Sequence, residues 1–168
     1  MSYAGGVMGR KQKSASVKAG LAALLVCALA PDAAYAQAKE PPYWASISVN
    51  EARMRVGPSL DYPSNWVYRR RDLPVRVVQV HGNWRKVEDP AGAQGWMHVR
   101  LLSDTATAIV KLPGGEMFAK PDEASTLLYH VEAGVVGRLS DCGKGWCVMD
   151  VAGQRGHIRA GSLWGGVD

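Results

Sequence analysis

Along most of the chain apolar and polar residues alternate in short runs broken by turn residues. Val75 to Val80 is rich in β-branched side chains, Gly82-Asn83 turns the chain, and Trp84 to Glu88 alternates. Asp89-Pro90-Ala91-Gly92 turns it again, and Gln94 to Val99 alternates once more. A similar series follows: Val135 to Leu139, a Cys142-Gly143-Lys144-Gly145 turn, Trp146 to Val151, a turn at Ala152-Gly153, and Gln154 to Ile158. No stretch beyond residue 36 carries a 3.6-residue period, so the pattern predicts an all-β chain.

The two series are copies. Met54 and Pro58 fall 63 positions before Met117 and Pro121, Trp84 falls 62 before Trp146, and Gly92, Gly95 and Leu102 fall 61 before Gly153, Gly156 and Leu163. The drift of two residues can be placed in loops, which sets the copies at 47–103 and 108–165. About 60 residues is near the lower limit for burying an adequate core. A small closed barrel is the economical solution, because closure removes sheet edges.

The first 36 residues break this pattern. Arg10, Lys11, Lys13 and Lys18 precede an apolar run from Ala19 to Ala30, and Ala34-Tyr35-Ala36 supplies small residues at alternate positions. That order predicts a secretory signal peptide over 1–36, cleaved near Ala36. The apolar run is too short to span a bilayer before Pro31 and Asp32 end it, so the membrane is met only during export. Cys27 raises a lipoprotein alternative, but Val26 stands where a lipobox needs a small residue. Residues 37–46, with Pro41-Pro42 and no periodicity, read as a linker. Folding is expected to begin near Ile47, in a protein that is periplasmic or secreted.

Removing the leader changes the charge argument. The chain carries +5 in all; residues 37–168 carry +2, from 16 Lys and Arg against 14 Asp and Glu. The basic balance belongs mostly to the leader, and nucleic acid is not an expected partner. Cys142 and Cys147 remain as an even pair in an exported chain. They align with Val80 and Arg85, which flank the equivalent turn of the first copy, so a disulfide is expected.

Asn50-Glu51-Ala52-Arg53-Met54-Arg55-Val56-Gly57-Pro58-Ser59, then Asp61-Tyr62-Pro63, Trp84-Arg85-Lys86-Val87 and Gly95-Trp96-Met97-His98, closely resemble the bacterial SH3 domain family. Lys120-Pro121-Asp122, Glu132-Ala133-Gly134-Val135-Val136, Asp141-Cys142, Gly145-Trp146-Cys147 and Ser162-Leu163-Trp164-Gly165 resemble the partner repeat of two-repeat exported proteobacterial members. Where members carry Gly-Trp-Ile or Gly-Trp-Val, this chain has Gly156-His157-Ile158, which takes an aromatic from the second copy. The resemblance implies two tandem SH3-like barrels of five or six strands. It also implies a module that binds peptides or cell-wall polymer.

Alternation selects the candidate site. If Val87 faces the core, Arg85 and Asp89 share its side, and Trp84, Lys86 and Glu88 face out. By the same parity Trp96 and His98 lie outside. Tyr62, Trp66 and Tyr68 fall in the long loop between the first two strands, expected to fold beside that face. Such rings suit extended or proline-containing peptides and the C–H faces of sugars. Equally, Tyr62, Trp66 and Tyr68 could simply pin the loop to its own barrel. Arg69, Arg70 and Arg71, with Arg55 nearby, could attract carboxylates, or form a solvated basic face. In the second copy the counterparts are Leu128, His130, Trp146 and His157.

Catalysis is not expected. A cysteine peptidase needs a free thiol beside a histidine, whereas both cysteines are expected to be oxidised. His81, His98, His130 and His157 are scattered one per element, without the paired spacing of a zinc site, and no cofactor or metal is implied. The expected function is binding of peptidoglycan or a wall-associated peptide by the first copy's aromatic face. The alternatives are an adaptor on an envelope protein and, more remotely, a cell-wall hydrolase.

Overall fold

The computed structural model describes residues 39–166, and the signal-peptide expectation lies outside them. Those residues lie in one compact unit. Its strands run β1 (Tyr43–Ile47), β2 (Ala52–Arg55), β3 (Ser64–Tyr68), β4 (Pro74–His81), β5 (Trp84–Glu88), β6 (Gln94–His98) and β7 (Leu102–Ser103). Then come β8 (Thr107–Val110), β9 (Gly114–Phe118), β10 (Leu127–Glu132), β11 (Val136–Gly143), β12 (Trp146–Val151), β13 (Gln154–Arg159) and β14 (Leu163–Gly165). Two sheets result, with orders β3-β2-β6-β5-β4-β1-β7 and β10-β9-β13-β12-β11-β8-β14. The second repeats the first position for position, as the spacing of the two copies requires.

Each sheet has seven strands, where the resemblance implied five or six. The difference lies in short pieces. β1 begins at Tyr43, four residues before the expected start, and pairs with both β4 and β7. Ala45, Ser46 and Ile47 are buried, and Ser46 shares a 2.9 Å hydroxyl hydrogen bond with Ser103. This strand escapes a reading of local pattern because what covers it is distant in sequence: Trp44 packs edge-on against Trp164, with ring centroids 4.8 Å apart. The loop expected to hold Trp66 and Tyr68 likewise contains β3, an antiparallel partner of β2.

The alternating runs bury one side as predicted. Ile47, Met54, Val75, Val77, Val87 and Met97 are fully enclosed in the first barrel. Val110, Met117, Cys147, Met149 and Ile158 fill the second. The barrels also share apolar contacts, because Ile109 and Val136 of the second pack against the first core. Two polar links accompany them. Arg138 holds Asp72 at 3.0 Å, and Arg70 donates to the carbonyl of Gly134 at 2.8 Å. Gly165 closes the seam with φ of +131°, and a Cβ there would stand 2.5 Å from the Thr107 carbonyl oxygen and 2.9 Å from Pro74 Cβ.

Candidate functional site: the outer face of the first barrel

Register builds the site. Lys86 pairs with Trp96 and Trp96 with Arg55, while Trp84 pairs with both His98 and His81. Directly opposed residues in an antiparallel ladder share one face. Their opposite parity to Val87 and Met97, which are wholly buried, puts this set outside. The result is a strip in which Trp84 and Trp96 alternate with Arg55, Lys86 and the two imidazoles.

The strip is ordered by its own contacts. Trp84 meets His98 edge to face at 5.4 Å, and Trp96 meets His81 at 6.3 Å. His98 is fixed in turn, because its Nδ1 accepts the Arg100 N–H at 3.2 Å and caps a 3-10 turn over Val99–Leu101. Trp84 and Trp96 are half-buried. Trp84 is therefore less isolated among solvated charges than alternation alone implies, though part of each side chain still meets solvent.

The remaining predicted site residues lie elsewhere. Trp66 pairs with Met54 and Tyr68 with Ala52, which puts both on the core side of the sheet, opposite the strip. Trp66 is nonetheless 55% exposed, because β3 is the last strand on its edge. Tyr68 packs on the core and donates its hydroxyl to Asp89 at 3.0 Å. Burial, then that carboxylate, pushes the phenol's pKa well above its ordinary value. The same Asp89 accepts the Ala91 and Ala93 N–H groups and so fixes the turn before β6. The Tyr62 ring lies over Gly57, where a Cβ would come within 2.5 Å of it, and the Tyr62 carbonyl accepts from Arg55.

The three arginines are divided among different neighbours. Arg69 pairs with Glu51 at 3.3 Å. Arg70 reaches across to the second barrel and, with Arg71, Asp72 and Arg138, lines a cleft of about 410 Å³ between the two. Of the predicted site residues, then, the structure joins Trp84 and Trp96. Lys86 and His98, which alternation already places outside, lie beside them, and His81 is added; carrying the alternation one strand further would have found it.

The second barrel has the same register and a different surface. Trp146 pairs with Arg159, and His157 with Phe118. Arg159 lies over the Trp146 ring, its guanidinium carbon 4.2 Å from the centroid, and is held there by Glu123 at 2.8 Å. Phe118 packs edge-on against the ring at 5.8 Å, and Trp146 is only 6% exposed. Aligning Arg159 with His98 would have revealed this cover. Register also corrects the counterparts of Trp66 and Tyr68: they are Tyr129, which pairs with Met117 as Trp66 does with Met54, and Val131, which pairs with Gly115 as Tyr68 does with Ala52, and not Leu128 and His130. His130 stands beside Glu116 at 3.4 Å. Cys142 and Cys147 form the expected disulfide, and Cys147 is fully buried in the core. A cleft of about 520 Å³, lined by Phe118, Glu123, His130 and Arg159 among others, lies in this barrel.

A tandem of two small β-barrels, each with one tryptophan at the start of its fifth strand, is the class this architecture defines. The bacterial SH3 domain family model matches residues 48–104 and again residues 111–165, and the chain belongs to that family. No curated protein matches it. Among solved structures it is similar to NlpC2 from Trichomonas vaginalis (15% identity, TM-score 0.34, 75% of this chain and 49% of that one). It is also similar to NlpC1 from the same organism (14%, 0.34, 75% and 46%). A third is an NlpC/P60 family protein from Bacillus cereus ATCC 10987 (16%, 0.33, 73% and 56%). The chain thus spans about half the length of each.

Proposed function

We propose that the chain is a non-catalytic binding module of the bacterial envelope, acting after export, whose first barrel holds peptidoglycan or a wall-associated peptide on the Trp84–Trp96 strip. The observation that carries this reading is the contrast between equivalent tryptophans. Trp146 is covered by its own barrel, whereas Trp84 stays partly exposed on the face that also carries Lys86 and Arg55. Rings of this kind stack on sugar C–H faces or on extended peptide, and Arg55 and Lys86 supply charge for carboxylates such as those of stem peptides. Family membership supports the same reading, since bacterial SH3 domains commonly bind cell-wall components. The disulfide removes both cysteines as thiolate nucleophiles.

The test is cosedimentation of residues 37–168 with purified sacculi, beside Trp84→Ala. Wild type is expected in the pellet, and the variant is expected to bind about tenfold more weakly, as losing one stacking ring implies. If wild type stays in the supernatant, the wall reading is wrong and a protein partner in the envelope takes its place.

A further inference from the structure

The two sheets are not closed by hydrogen bonds: β3 and β10 stand at equivalent ends, each paired on one side only, with β2 and β9 respectively. Open edges of this kind are normally blunted by lysine or proline within the strand. Neither Ser64–Tyr68 nor Leu127–Glu132 contains either residue. Each carries exposed apolar side chains instead, Trp66 and Val67 in β3 and Leu127, Leu128 and Tyr129 in β10. Of the eleven large hydrophobic side chains exposed among the described residues, five lie in 51–71 and three in 114–134, the β2–β3 and β9–β10 hairpins offset by 63 positions.

These two hairpins differ in sign. Residues 51–71 contain five arginines against Glu51 and Asp61, a net +3. Residues 114–134 contain Lys120 against Glu116, Asp122, Glu123 and Glu132, a net −3. In the first, Arg53 and Arg69 both turn to the single carboxylate of Glu51, at 3.5 and 3.3 Å, which leaves guanidinium donors to spare. In the second, Glu116 and Glu132 are exposed, and Glu132 makes no ion pair among the described residues.

We propose that these surfaces fit each other: the β3 edge of one copy pairs with the β10 edge of a second copy, head to tail. The partner is this chain itself because it alone is shown to carry both an open apolar edge of net +3 and one of net −3. Such a contact joins different patches on the two copies, so it extends into a ring or a filament and does not stop at a symmetric dimer.

Sedimentation equilibrium of residues 37–168 across a wide concentration range tests the proposal. Mass is expected to rise with concentration at low salt and to fall back at about 1 M salt, where the screening length is about 3 Å. Arg53→Glu with Arg69→Glu, and separately Glu116→Arg with Glu132→Arg, are each expected to weaken self-association about tenfold or more, since like charges then face each other. Mixing the two variants sets the native β3 of the second against the native β10 of the first, while the two reversed edges also carry opposite charge, so the mixture is expected to associate where neither variant does alone. A chain that stays monomeric at every concentration overturns the proposal. So does association that ignores the charge reversals, a mixture that fails to associate, or a monomer whose β3 amides gain protection only from an added acidic peptide. Circular dichroism checks that the variants fold, and the wild-type concentration and salt series stands independently of them.

Discussion

The two barrels share register, strand order and a tryptophan at the same place, yet one leaves that ring partly open and the other covers it. Three substitutions account for the difference. Where the first barrel has Arg55, Trp96 and His98, the second has Phe118, His157 and Arg159, in the same paired positions. Phe118 and Arg159 close over Trp146 and convert a surface ring into part of the core's rim. The first barrel keeps its cation and imidazole beside the rings, where they support a surface without sealing it. Duplication of a fold therefore need not duplicate a site: exchanging an aromatic for a basic residue on neighbouring strands decides whether a platform faces solvent or its own chain.

The largest expected effect separates the two tryptophans by stability. Trp146→Ala should cost about 3 to 5 kcal/mol, as removing a buried indole does. Trp84→Ala should cost about 1 kcal/mol, typical of a partly exposed site. Urea unfolding of the two variants measures the difference, and equal losses would break the comparison. Next comes the staple that the second barrel has and the first lacks. Reducing Cys142–Cys147 frees a short loop and should cost about 2 kcal/mol, read as a shift in urea midpoint, while sacculus binding by the first barrel stays unchanged.

Tyr68 distinguishes the barrels at alkaline pH, because Val131 holds its place in the second. Its folded pKa lies above the unfolded value of about 10, so the phenol's contribution is full below that pH and is lost as the pH rises through and beyond it. Tyr68→Phe should lower neutral stability by about 1 kcal/mol for the lost hydrogen bond and flatten the alkaline fall. An unchanged alkaline profile would remove Tyr68 as its cause. The smallest change should be the most informative one. Arg159→Ala loses a cation–π contact worth about 0.5 to 1 kcal/mol and uncovers Trp146. In a Trp84→Ala background it should return part of the wall affinity; no return would mean that an open ring is not enough.

Most of the fold could be read from the sequence because the signals are local. Val87 and Met97 alternate with Trp84, Lys86 and Trp96 within single strands, and the turns at Gly82-Asn83 and Ala152-Gly153 sit where glycine takes positive φ. What escaped depends on partners far along the chain. Trp44 needs Trp164 before Tyr43–Ile47 reads as a strand, and Arg70 needs Gly134 before it reads as a link between barrels and not as a ligand arm. The candidate site was half legible. Parity placed Trp84 and Trp96 together, but it could not reveal that β3 turns Trp66 and Tyr68 to the opposite side. That orientation follows from pairing with Met54 and Ala52, which is a matter of register and not of composition.

The six indole N–H groups of the chain offer the most direct measurement: their NMR signals in residues 37–168, followed as soluble peptidoglycan fragments are added. The account predicts that Trp84 and Trp96 move together and saturate while Trp146 and Trp164 stay in place. Movement of Trp146 without Trp84, or of none of the six, would contradict it.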